Sequence, residues 1–270
     1  MKLFFFSCGI LESTTDLFIN GQGKDSFLAP VPFFLIQHNG KNIMFDTGNH
    51  PDDMIGHLLS RLTDNVNPIF SEADLAHNAI RKVGLTPEDI DIIILSHLHH
   101  DHAGEITFFP NATIIVQKDE FDYIRRPDYF MTQAYYNDEA PANVTNFYMD
   151  GKDVLKKPQI DWFFIDGNID KSFDLFGDGR IVIVFTPGHT IGHQSLLVTT
   201  DDGTRFLLAA DACYTEANLR SNTLPGLVAD SHAYMNNLSY FRLLEKTGAK
   251  IVYGHDPQSW SQFNLAPEYY

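Results

Sequence analysis

The densest concentration of metal-binding side chains in the chain is the segment His97-Leu98-His99-His100-Asp101-His102, an H-x-H-x-D-H pattern. An extended backbone would send His97, His99 and Asp101 to one side, because side chains alternate along a strand. His102 would turn in from the following loop, and His100 would point away. Imidazole nitrogens and carboxylate oxygens are ligands of Zn²⁺ and similar divalent ions. The segment therefore predicts a metal site.

Five short apolar runs each end abruptly in a polar group. The runs are 43–45 into Asp46, 92–95 into Ser96-His97, 181–185 into the loop with His189, 206–210 into Asp211, and 251–253 into His255. Runs of this length, rich in Ile, Val and Phe, are typical of strands buried on both faces. We therefore expect the polar residues to collect along one rim of a sheet system.

Helical patterns lie between the predicted strands. Residues 71–74 read as a cap before an amphipathic stretch that ends at Gly84, and Ser231 reads as the cap of a longer helix that ends at Gly248. Two stretches lack such regularity, 12–32 and 128–158. Long irregular stretches in a compact domain are often functional, so we expect these two to line an apolar pocket or to form a subunit interface. An equal alternative for 128–158 is that its aromatic residues lie at the surface and pack locally.

Seven candidate ligands exceed what one metal ion needs. One catalytic Zn²⁺ commonly takes three protein ligands and a water. The candidates are His97, His99, Asp101, His102, His189, Asp211 and His255. This number fits two divalent ions that share one carboxylate.

Composition excludes several classes of protein. The chain has 19 Lys+Arg against 35 Asp+Glu, a net charge of −16, which disfavours nucleic acid as a partner because binding it usually needs a basic face. Two cysteines cannot form a disulfide framework. No apolar stretch approaches the length of a membrane span, and the run 3–6 is too short for the core of an export signal. We expect a cytoplasmic protein without membrane contact.

The motifs together resemble the metallo-β-lactamase superfamily, and more narrowly the N-acyl-homoserine lactonases. The broad resemblance extends from Asp46 to His255, and the narrow markers are the segments 186–195 and 211–215, above all Tyr214. The resemblance implies an α/β fold, a four-layer αββα sandwich with the metal site at one rim of its two sheets. It also implies that residues 1–270 form a single hydrolase domain.

The same resemblance implies a role for each candidate. His97, His99 and His189 would hold one metal, Asp101, His102 and His255 would hold the other, and Asp211 would bridge them. Asp46 would orient the ligands, Tyr214 would contact the substrate carbonyl, and Asp101 would assist proton transfer. His193 would be structural, and Cys213 would pack beneath the site.

The implied reaction is the opening of a lactone ring by a metal-bridging hydroxide, with an N-acyl-homoserine lactone as the expected substrate. Two Zn²⁺ ions are expected, with Co, Mn or Fe as alternatives.

Other candidate activities are hydrolysis of another small lactone, hydrolysis of a thioester as in glyoxalase II, and hydrolysis of a β-lactam. A scaffold protein without metal is a further alternative. A glutathione thioesterase needs cations beside its pocket, for which Arg125-Arg126 is a weak candidate. A neutral lactone suits the acidic chain, and a homodimer through the N-terminal loop or the segment 128–158 is a further expectation.

Overall fold

The computed structural model describes residues 1–51, 66–135 and 160–270. Twelve strands lie in this part of the chain: β1 Lys2–Thr14, β2 Ser26–His38, β3 Lys41–Phe45, β4 Asn67–Ile69, β5 Ile92–Ile94, β6 Thr113–Gln117, β7 Asp161–Ile165, β8 Ser172–Asp174, β9 Ile181–Phe185, β10 Gln194–Thr199, β11 Arg205–Ala210 and β12 Ala249–Tyr253. They form a seven-stranded sheet of order β4-β1-β2-β3-β5-β6-β7 and a five-stranded sheet of order β12-β11-β10-β9-β8.

Strand β1 shows why the two sheets stack. Its side chains alternate between faces, so Leu3 and Phe5 belong to the core between the sheets, whereas Phe4 and Phe6 belong to the core on the outer face. The strand is apolar on both sides because both sides are covered. The second sheet behaves in the same way: Leu208 faces the first sheet, and Leu207 faces the outer helices.

Seven α-helices lie in the described part of the chain: α1 Thr15–Phe18, α2 Ala76–Ala79, α3 His100–Ala103, α4 Lys118–Tyr123, α5 Glu216–Ser221, α6 Ser231–Lys246 and α7 Pro257–Trp260. Helices α2 and α4 contribute to the core on the outer face of the first sheet, and α6 packs on the second. Helix, sheet, sheet and helix layers make the αββα sandwich, which confirms the predicted fold.

The helix boundaries differ from prediction in two places. Helix α6 begins at Ser231, but its N-cap is Asp230, whose side chain accepts the backbone N–H of Ala233. The stretch expected to form one amphipathic helix before Gly84 is divided into α2 and a 3₁₀ segment, Ile80–Val83. Gly84 ends that segment with φ of 79°, the left-handed conformation that favours glycine.

The predicted strand ends meet at one rim. Strands β3, β5 and β6 are parallel neighbours, as are β11 and β12, so their carboxyl ends point the same way within each sheet.

The expectation that 12–32 is irregular is wrong in part, since β1, α1 and β2 occupy most of it. The stretch 128–158 lies outside the described residues beyond residue 135. No described helix has both the length and the apolar character needed to span a bilayer.

Candidate metal centre

The H-x-H-x-D-H segment leaves β5 as an extended turn and then curls into α3. His99 is the N-cap residue of α3, so Asp101 lies on a helical turn and not on alternating extended backbone. The strand-like alternation expected at this position is therefore wrong. The curl is fixed by contact with a distant loop: Thr47 donates its backbone N–H to His102 O at 2.7 Å, and a Cβ on Gly104 would lie 2.4 Å from His50 N.

The other candidates come from loops at the same rim. His189 lies in the loop between β9 and β10, Asp211 follows β11, and His255 follows β12. Gly188 precedes His189 with φ of 145°, and a Cβ there would lie 2.6 Å from Tyr234 N, so the loop packs directly on helix α6. His189, Asp211 and His255 lie at the rim because the strand before each of them ends there.

The structure brings all seven candidates together in two adjacent groups. The ligand atoms of each group lie within 4.8 Å of one another. The first group is His97, His99, His189 and Asp211, and the second is Asp101, His102 and His255. Asp211 faces both groups, since its Oδ2 lies 3.1 Å from His189 Nε2 and its Oδ1 lies 3.1 Å from His255 Nε2.

Buried nitrogens without hydrogen bonds indicate what the groups can bind. Nε2 of His97 and Nε2 of His102 have no hydrogen-bond partner among the described residues, although Asp211 carboxylate oxygens lie 3.8 and 3.2 Å away. Nε2 of His99 also has no hydrogen-bond partner among these residues, whereas its Nδ1 is hydrogen-bonded to Nε2 of His189 at 2.9 Å. Buried polar atoms are costly without a partner, and lone pairs that converge in this way suit a cation. The donor set therefore fits two divalent metal ions.

Hydrogen bonds on the far side of the rings orient three of the histidines. Nδ1 of His102 lies 2.8 Å from Asp46 Oδ2, Nδ1 of His189 lies 3.0 Å from Leu227 O, and Nδ1 of His255 lies 2.8 Å from Pro30 O. In each ring, this contact occupies Nδ1 and leaves Nε2 directed at Asp211. Such outer contacts commonly fix the tautomer of a metal-binding histidine. Asp46 thus lies where the sequence expectation puts it.

Burial and mutual charge shift the pKa values within the site. Burial, helped by the neighbouring histidines, lowers the pKa of His97 well below its ordinary value. Burial also opposes charge on His102, but the carboxylates of Asp211, Asp101 and Asp46 outweigh it and hold that pKa well above its ordinary value. Burial would raise the pKa of Asp211, yet the surrounding histidines lower it. The site is therefore a compact array of opposite charges before metal binds.

A cavity of about 430 Å³ opens above the two groups. Residues that line its floor are His99, His100, Asp101, Asp211, Tyr214 and His255. Its walls are mainly apolar and come from both stretches named as candidate pocket walls: Leu17 and Phe18 on α1, and Phe130 in the 3₁₀ segment Tyr129–Ala134. The size and lining suit a small ligand with an apolar tail.

Tyr214 lies between the metal groups and the apolar wall. Its ring centroid is 5.0 Å from that of His255 and 5.7 Å from that of Phe18, and its hydroxyl is 3.4 Å from His189 Nδ1. Burial, together with the charges of Asp211 and Asp101, raises its pKa well above 10. The phenol therefore keeps its proton and can donate a hydrogen bond to a bound ligand.

Sequence reasoning missed one residue that organises the site, Glu120. This fully buried carboxylate accepts the backbone N–H of Leu98 at 3.1 Å and that of Gly192 at 3.2 Å, so it ties the H-x-H-x-D-H segment to the His189 loop. Nothing in the sequence separates it from a surface glutamate on a short helix. His100 joins neither metal group, in keeping with the expectation that it points away from the ligands, but it lines the cavity.

Two smaller expectations can also be placed. Cys213 is completely buried among apolar side chains beneath the site, as predicted. Arg125 pairs with Asp122 at 3.6 Å and lies over the ring of Phe121. Neither Arg125 nor Arg126 is among the described residues that line the cavity, where Lys24 is the one lysine or arginine. The described pocket therefore lacks the cationic cluster expected of a glutathione thioesterase.

Comparison with known proteins finds one matching superfamily and several similar lactonases. Residues 28–255 match the metallo-beta-lactamase superfamily profile. An N-acyl homoserine lactonase, AttM of Rhizobium radiobacter, is 34% identical over 275 residues, which cover 100% of this chain and 98% of the relative. An N-acyl homoserine lactonase of a Bacillus species is 29% identical over 244 residues, covering 89% and 86% of the two chains.

Solved structures agree with these relatives. An N-acyl homoserine lactone hydrolase with the product N-hexanoyl-L-homoserine at its catalytic metal center superposes with a TM-score of 0.81 at 25% identity, over 100% of this chain and 98% of that one. AidC, a dizinc quorum-quenching lactonase, superposes with a TM-score of 0.68 at 18% identity, over 99% and 92%. At that identity, AidC supports the fold alone.

Proposed function

Because the chain belongs to the metallo-beta-lactamase superfamily, and resembles N-acyl homoserine lactonases over its whole length, we propose that it is a metal-dependent hydrolase that opens the ester ring of lactones. N-acyl-homoserine lactones are the proposed substrates, which would make the enzyme quorum-quenching. The observation that carries this proposal is the convergence of two metal-binding groups beneath a cavity with apolar walls. We further propose that residues 1–270 form one domain.

The proposed metal assignment follows the two groups. His97, His99 and His189 would hold one ion, Asp101, His102 and His255 would hold the other, and Asp211 would serve both, because its two oxygens face different groups. Two bound divalent ions, with Zn²⁺ as the first choice, supply Lewis-acid polarisation and a water of lowered pKa.

Three residues supply the other functions of the proposed reaction, which are hydrogen bonding, proton transfer and exclusion of water. The protonated hydroxyl of Tyr214 donates a hydrogen bond to the lactone carbonyl oxygen as negative charge develops there. Asp101 lines the cavity floor, with Oδ2 3.7 Å from His255 Nε2; its carboxylate accepts a proton from the attacking water and passes it to the departing ring oxygen. Phe18 packs against Tyr214 and keeps water from its ring face.

The cavity explains the proposed choice of substrate. A homoserine lactone ring would lie over the polar floor, and its acyl chain would lie against Leu17, Phe18 and Phe130. The substrate is neutral, so the net charge of −16 does not repel it. A large anionic substrate would need several cationic side chains, and Lys24, which is exposed, is the one lysine or arginine among the described residues that line the cavity.

A substrate panel tests the proposal. The zinc-loaded protein is assayed by proton release against acyl-homoserine lactones, simple lactones, thioesters and β-lactams, with chelator-treated protein as the control. Lactones should have the highest kcat/KM, and long acyl chains should lower KM. Preference for a thioester or a β-lactam would reject lactone hydrolysis while leaving the metal site intact.

A further inference from the structure

His193 is a completely buried histidine that belongs to neither metal group. It ends the loop 186–193 between β9 and β10, which carries His189, and Thr186 closes the loop by donating its backbone N–H to His193 O at 2.9 Å. Its ring centroid lies 5.2 Å from that of His97. His193 therefore lies directly beneath the metal groups without joining them.

The backbone N–H of Asp211 needs a partner that the sheet does not supply. The pairing of β11 with β12 shifts register between Leu208 and Ala210, and Ala210 has φ of 45°, an unusual conformation for a residue with a side chain. The chain turns out of the sheet at this point. Nε2 of His193 accepts the Asp211 N–H at 3.1 Å and so satisfies a buried donor.

A directional chain of hydrogen bonds fixes which nitrogen of His193 carries the proton. Ser195 Oγ donates to Ala209 O at 2.9 Å, because a carbonyl oxygen only accepts. Thr186 Oγ1 then donates to Ser195 Oγ at 2.8 Å, and Thr186 Oγ1 accepts from His193 Nδ1 at 2.9 Å. The proton on Nδ1 leaves Nε2 free to accept from Asp211.

We infer that His193 is a positioning residue for the bridging carboxylate, holding the Asp211 backbone through Nε2 while Thr186 fixes its tautomer. The inference rests on the proposed dinuclear site, because it assigns His193 an effect on metal binding. His193 thereby links two candidate ligands that are distant in the sequence. It closes the loop that carries His189, and it also holds the backbone of Asp211.

Metal affinity of the folded protein, measured by competition with a chromogenic chelator, tests the inference. His193→Phe fills the space but cannot accept the Asp211 N–H, so affinity for Zn²⁺ should fall by about 10- to 100-fold, the range for lost outer contacts of metal ligands. His193→Gln offers an amide oxygen as acceptor and should restore most of the affinity. Val198→Ala, a buried change in β10 away from the site, is the control for simple loss of packing and should leave affinity unchanged.

Two further measurements keep the test decisive if His193→Phe does not fold. Thr186→Val removes the acceptor of Nδ1 and should lower affinity by about tenfold, with rescue by Thr186→Ser. Long-range ¹H–¹⁵N spectra of the metal-free parent should show His193 protonated at Nδ1 alone. A proton on Nε2, or parent-like affinity in folded His193→Phe or Thr186→Val, would overturn the inference. A parent protein that binds no metal would instead reject the proposed function and the inference with it.

Discussion

Oδ2 of Asp46 lies 2.8 Å from Nδ1 of His102, and both side chains are almost completely buried. Asp46 also accepts the backbone N–H and the hydroxyl of Ser96, so its carboxylate is held by the residue that begins the histidine-rich turn. This contact occupies Nδ1 of His102 and directs Nε2 at Asp211, 3.2 Å away. A carboxylate at the end of β3 thus orients a candidate ligand on α3.

The first prediction concerns pH. The carboxylates around His102 and His255 overcome burial and raise both pKa values, so the metal-free site holds protons there that a metal ion must displace. Metal affinity should therefore rise with pH and fall by about tenfold per displaced proton for each unit of acidification. Calorimetry in two buffers with different ionisation enthalpies counts the protons. Zinc binding at pH 7 without proton release would contradict this expectation.

Asp211→Asn tests the bridging carboxylate. The substitution preserves size but removes the charge that two groups of histidines face, so the protein should no longer hold two equivalents of metal. Elemental analysis after gel filtration gives the stoichiometry. Asp230→Asn is the matched control, because asparagine also caps a helix and residue 230 lies outside both groups. Two tightly bound equivalents in Asp211→Asn would refute the bridge.

Tyr214→Phe removes one hydroxyl from the cavity floor. If that hydroxyl stabilises charge on the carbonyl oxygen only as the reaction proceeds, kcat should fall by about 10²-fold while KM changes little. Steady-state kinetics with N-hexanoyl-homoserine lactone measure both constants. Tyr240→Phe, on helix α6, is the control and should behave as the parent does. Equal kcat in Tyr214→Phe and the parent would remove Tyr214 from the mechanism.

Leu17→Ala tests the apolar wall. Shortening this side chain should raise KM for a long acyl-homoserine lactone by about tenfold, because lost apolar contact in a pocket is worth about 1–3 kcal/mol. γ-Butyrolactone lacks the chain, so its KM should stay the same. The ratio of the two KM values is the measurement. A parallel rise for both substrates would show that Leu17 supports the site as a whole and does not contact the acyl chain.

The sequence predicted where the candidate ligands meet because strand ends are local features. Short apolar runs predicted where β5, β11 and β12 stop, and parallel neighbours then brought Asp211 and His255 to one rim. The αββα layers followed from the family resemblance and agree with the alternation in β1, whose faces join different cores.

The remaining features depend on contacts between distant residues. The curl of α3 is set by the approach of Gly104 to the backbone at His50, a contact that no local pattern records. Glu120 was missed for the same reason, since its partners Leu98 and Gly192 are 22 and 72 residues away. Tertiary packing decides such features.

Zinc titration of the metal-free protein tests the central claim most directly. Hydrolysis of N-hexanoyl-homoserine lactone is measured at increasing molar ratios of Zn²⁺, with bound metal determined in the same samples. The account predicts negligible turnover without metal and a rise that saturates at two bound equivalents. Full turnover without metal, or no lactone hydrolysis with two equivalents bound, would contradict it.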